Sequence, residues 1–112
     1  MSMINVNEKD WKLFRKKLPE WQEAYMEKLC MEYAGILSSS KNSSDKFWEI
    51  EKRVNKDKKD VGVSARMSRS MMYENMTSLL LEGAITVDDL EDFSEEVVEI
   101  VKRWSHIGED NE

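Results

Sequence analysis

This 112-residue chain has one cysteine, one histidine, one proline and four glycines. Each scarcity removes a class of chemistry. Cys30 has no second cysteine to pair with, so an internal disulfide is excluded. One His and one Cys cannot supply the usual nitrogen and sulfur ligands of a zinc site, and no HExxH motif occurs. The scattered glycines form neither GxGxxG nor GxxxxGK[ST], so the common phosphate-cradling loops are missing. No apolar run exceeds three residues, whereas a membrane span needs about 20. The opening "MSMINVNEKD" has neither a basic n-region nor an apolar h-region, so no signal peptide is expected. A cytoplasmic protein is the expectation.

Nucleophilic catalysis is poorly served. Cys30 falls in the middle of a predicted helix, on its broad apolar face, where a buried structural thiol is expected. His106 lies far away in sequence, near the end of the last predicted helix, where a cation is welcome. A Cys–His pair would need hydrogen-bond contact between them. The acidic stretch "DDLEDFSEE" lacks the central glycine of an EF-hand loop and reads as acid enrichment at helix starts. No cofactor, metal or catalytic residue is expected.

What the chain does have is charge and helix-forming bulk. Asp, Glu, Lys and Arg make up 36% of it, and four Trp, three Tyr and three Phe can fill one core. The net charge of −6 is unevenly placed: residues 1–81 are net basic, and residues 82–112 are strongly acidic. The expected fold is a single all-α domain over 1–112, a compact bundle of about five helices. Its ends should fray at about 1–6 and 108–112.

The punctuation gives the helices. Asn7 caps a first helix carrying Trp11, Phe14 and Leu18, and Pro19 should end it and open a long second one. Along that second helix Trp21, Tyr25, Leu29, Tyr33 and Ile36 share a face. Trp21 and Tyr25 are expected to be buried against the last helix. After the loop Ser38–Ser44, Ser44 or Asp45 caps a third helix with the stripe Phe47, Ile50 and Val54. Ser64 should start the fourth, Gly83 should stop it, and Ser94 should cap the last. Thr86 and Asp89 have capping-box-like spacing.

The fourth helix is rich in methionine, a soft side chain suited either to cores or to docking surfaces. On a helical wheel Met72, Tyr73, Met76, Leu79 and Leu80 form one face, expected to be core and central in the bundle. Met67, Met71 and Leu81 fall across from them. They must be covered by the first helix, by another copy of the chain or by an unknown protein partner. Cover within the chain, through Trp11 and Phe14, is the expectation.

The runner-up function is nucleic-acid binding. Lys52, Lys56 and Lys59 follow Trp48, and "GVSARMSRS" looks like the turn and recognition-helix start of helix-turn-helix proteins, with Arg66 and Arg69 on the helix. That pattern wants a small residue at Lys58 and apolar residues at Asp57 and Ser68, and this chain departs from it at all three.

Taken whole, "WQEAYMEKL", "SDKFWEIEKR" and "EGAITVDDLEDFS" resemble small, uncharacterised helical proteins of bacteria found among mobile-element genes. Some members bear the label "multidrug transporter", which a chain without a possible span does not support as a membrane function. The resemblance implies a bacterial cytoplasmic protein and brings no catalytic residues. The sequence therefore points to a non-enzymatic interaction or assembly protein, as a possible homodimer or with an unknown partner.

Overall fold

The computed structural model describes residues 5–106. Among them are four α-helices and no strand: α1 (Glu8–Leu37), α2 (Ser43–Asp57), α3 (Met72–Glu82) and α4 (Glu95–Ser105). Single 3-10 turns occur at Arg69–Met71 and Val87–Leu90. The fold is all-α, with one helix fewer than expected, because Pro19 does not break the chain. It sits inside the 30-residue α1. Proline there removes the bond to the Arg15 carbonyl, at a cost of about 3 kcal/mol. Phe14 and Leu18 before it, and Tyr25 and Leu29 after it, all lie buried along one side of the helix. Their burial is worth about 1.5–3 kcal/mol per side chain, which outweighs the lost bond.

The core occupies one half of the molecule. Phe14 and Leu18 of α1 meet Met72, Tyr73, Met76, Leu79 and Leu80 of α3, and Val97 and Val101 of α4. Ile85, Leu90 and Phe93 close it from the connecting segment. The methionine-rich helix is central, as its wheel predicts. Trp21 is half-buried, between Phe14 at 6.3 Å and Phe93 at 6.2 Å, so it packs against the residues before α4. Val6 packs on the core and does not fray; the other expected frayed residues, apart from Asn5, lie outside those described.

The second half of α1 and all of α2 leave this core as a helical hairpin, called the arm below. The radius of gyration is 16.8 Å, against about 13 Å for a globular chain of this length. The bundle is therefore compact at one end and drawn out at the other.

Caps fix the ends. Asn7 Oδ1 accepts from the Asp10 N–H at 2.8 Å, and Ser94 Oγ accepts from the Val97 N–H at 3.4 Å. Gly83 terminates α3 at φ +82°, a left-handed conformation that disfavours a side chain. The Thr86–Asp89 box is present but opens a 3-10 turn. The chain from Ser64 to Ser68 is not helical, contrary to expectation. The buried Asn75 side chain donates to the Arg66 carbonyl at 2.9 Å and holds this irregular segment against α3.

A buried carboxylate ties the two ends of the sequence together. Asp10 accepts from the Ser94 N–H at 3.1 Å, from Ser94 Oγ at 2.7 Å and from Asn7 Nδ2 at 2.8 Å. It thus holds the N-cap of α4 onto the first turn of α1. Asp10→Ala should lower unfolding stability by about 1–3 kcal/mol, since it leaves the half-buried Ser94 donors without their partner. Denaturant melts check this; a loss below about 0.5 kcal/mol would show that the latch carries no stability.

Candidate functional site

The arm joins the core at a bracket of polar contacts. The loop leaving α2 reaches Val61 and Gly62, whose N–H groups donate to the two Glu82 carboxylate oxygens at 2.9 and 3.0 Å. Gln22 Nε2 donates to the Val61 carbonyl at 2.9 Å, and Tyr25 Oη donates to Asp60 at 2.6 Å. Gly62 is buried face-on to Tyr25: a Cβ there would lie 2.4 Å from the ring. Tyr25 is therefore buried as expected, but against this loop and not against α4. Further out, Tyr33 Oη donates to the buried Asp57 at 2.7 Å, and Arg53 bridges Asp57 and Glu32.

These contacts perturb the titrating groups, and each shift has a structural cause. Burial, then the bond to Asp57, pushes Tyr33 up to about 12. Burial and Asp60 raise Tyr25 further. Burial alone would raise Asp57, but the Tyr33 hydrogen bond and Arg53 outweigh it and hold the carboxyl below its ordinary range. Burial pushes Glu82 up more than its two N–H bonds pull it down. Among the described residues every buried side-chain N or O has a hydrogen-bond partner, and no group of three potential metal ligands occurs. The perturbed groups brace the arm.

An apolar cleft at this joint lies between α1 and α2, lined by Met26, Leu29, Cys30, Tyr33, Val54 and Val63, with Asp57 and Lys58 at its edge. Its volume of about 190 Å³ falls below the roughly 300–1,000 Å³ of small-molecule sites. Cys30 is exposed beside it, which corrects the expectation of a buried thiol. The arm is only two helices thick, so no third layer covers that side.

The arm carries a surface more unusual than its cleft. Of the eight exposed large hydrophobic side chains among the described residues, five are on it: Met31, Leu37, Phe47, Trp48 and Val54. Phe47 and Trp48 are 63% and 62% exposed and pack edge to face at 4.9 Å. Trp48, Lys52 and Lys56 follow each other at i, i+4 and i+8 along α2 and line a shallow depression with Glu49 and Arg53.

The residues expected to act together are dispersed. Met67 is exposed in the irregular segment before the 3-10 turn, Met71 is half-buried at that turn, and Leu81 is exposed in the last turn of α3. Trp11 and Phe14 therefore do not cover this set, and without a helix through Met67 the wheel that united it does not exist. Lys52 and Lys56 share α2, but Lys59 lies beyond its end. Arg66 is in the irregular segment, and Arg69, on the 3-10 turn, pairs with Glu8. No recognition helix presents these two arginines. The joint exposure of Phe47 and Trp48 is not legible in the sequence, because adjacent helical residues can both be buried, as Met72 and Tyr73 are on α3.

No helix among the described residues is long and apolar enough to cross a membrane. The chain matches no family model, no curated protein and no solved structure.

Two predictions follow from the bracket. Gly62→Ala should destabilise by about 1–3 kcal/mol through overpacking on Tyr25; unchanged denaturant melts would show that the loop is not seated there. In an absorbance titration Tyr33 should ionise near about 12, and Tyr33→Phe should remove that step. Its folded value is raised, so its contribution to stability is full below the ordinary 10.0 and is lost as pH climbs towards about 12. A titration in which all tyrosines ionise at the ordinary value would contradict the Asp57 contact.

Proposed function

We propose that the protein is a non-enzymatic interaction or assembly protein of the cytoplasm, and that the arm is its docking element. The observation that carries this reading is the concentration of exposed apolar side chains on a protruding hairpin, with Phe47 and Trp48 at its outer face. Aromatic residues of this kind are the usual anchors of protein interfaces. A hairpin braced at its base presents them without first paying to order them. The unpaired, exposed Cys30 suits a reducing compartment.

A second reading keeps a specific support. An exposed tryptophan followed by two lysines on one helix stripe is also a stacking and phosphate-tracking surface for single-stranded nucleic acid. Duplex recognition through Arg66 and Arg69 has no such support.

The test replaces Trp48 with a photo-crosslinking residue in cells, with Glu99 of α4 as the control position. A discrete protein adduct is expected from position 48 and not from 99, and it should disappear on adding Phe47→Ser. Phe47→Ser and Trp48→Ser should each change stability by less than about 1 kcal/mol, because both side chains are exposed. No adduct at position 48 would overturn the reading. Salt-sensitive binding of single-stranded nucleic acid, lost with Trp48→Ser, would install the second one.

A further inference from the structure

The solvent face of α1 carries a charge pattern that no ion pair among the described residues uses. Lys9, Lys12, Lys16, Glu20, Glu23 and Glu27 are all exposed and fall within an arc of about 80° on the helix, opposite the side that buries Phe14, Leu18 and Tyr25. The first three are basic and the last three acidic. None of the six takes part in an ion pair among the described residues. The helix itself gives no reason for this order. Its dipole favours acids near the N-terminus and bases near the C-terminus, the reverse of what this stripe shows. The i,i+4 pair Lys16–Glu20 also runs in the less favourable direction.

A second copy of α1 in antiparallel orientation does use it. With a twofold axis at the level of Leu18, Lys16 falls opposite Glu20, Lys9 opposite Glu27, and Lys12 opposite Glu23 and Ala24. Each contact occurs twice, as an isologous interface requires. A parallel partner would set lysine against lysine and glutamate against glutamate. The half-buried Leu13 and the exposed Ala24 lie together along one edge of the stripe.

We infer that the protein forms a twofold dimer through this self-complementary stripe of α1. The axis at Leu18 sends the two arms to opposite ends of the pair and leaves Phe47 and Trp48 free on both. The dimer is held by exposed charges, each weak alone, so it is a reversible and salt-sensitive one. It is separate from the docking surface of the arm, and its test does not depend on that reading.

The test is sedimentation of the full chain and of two charge variants. One variant combines Lys9→Glu, Lys12→Glu and Lys16→Glu, making the stripe wholly acidic. The other combines Glu20→Lys, Glu23→Lys and Glu27→Lys, making it wholly basic. All six positions are on the surface, and circular dichroism checks that both variants fold. The wild type should dimerise at about 50 mM salt and weaken by about tenfold or more by about 500 mM. Each variant alone should be monomeric, and an equal mixture of the two should form a heterodimer. A wild type that stays monomeric at low salt overturns the inference. So does a dimer that survives in both variants, which would move self-association to another face.

Discussion

The structure depends on α1 staying helical through Pro19. Its first turns supply Phe14 and Leu18 to the core, and its last turns form one side of the arm. A single missing hydrogen bond lies between the two. Buried side chains on both sides of the proline share one face, so breaking the helix there would expose one set or the other. Continuity is therefore enforced by packing and not by local propensity. The same continuity projects the arm away from the core and places six charged residues in one uninterrupted stripe.

A protruding hairpin needs bracing at its base, and the chain supplies it with carboxylates. Glu82 grips the backbone of Val61 and Gly62, Asp60 takes the Tyr25 hydroxyl, and Asp57 takes that of Tyr33. Asp10 does the same work at the other end, on Ser94. Asp10 and Asp57 are buried, and Glu82 is raised by burial, because they hold segments distant in sequence. Two of the strongest polar shifts, at Tyr25 and Tyr33, thus mark a joint between two parts of the molecule.

Local signals in the sequence were reliable where the structure obeys local rules. Asn7, Ser94, Gly83 and the Thr86–Asp89 pair act at or next to the positions their chemistry suggests, and Met72, Met76 and Leu79 face the core. The misreadings share one cause. Periodicity shows which residues lie on a common face but not what covers it. The Phe47, Ile50 and Val54 stripe has the pattern of a packed helix, yet α1 covers it only in part. Cys30 sits on a broad apolar face that no third layer reaches. Pro19 has the local meaning of a break, and tertiary packing overrides it. Lys52 and Lys56 were legible as one basic stripe. Arg66 and Arg69 do not share the helix that the helix-turn-helix likeness implies, because the Asn75 side chain holds the Arg66 carbonyl and the chain from Ser64 to Ser68 is irregular.

The continuity of α1 can be measured directly with two spin labels, one on the native Cys30 and one on Lys12→Cys, both exposed positions on either side of Pro19. At about 1.5 Å per residue an unbroken helix separates their backbones by about 27 Å. Pulsed electron resonance should give a single narrow distribution centred near that distance. A corner at Pro19 that folds the first turns back would bring the labels to well under about 20 Å, and that result would contradict both the fold and the arm built on it.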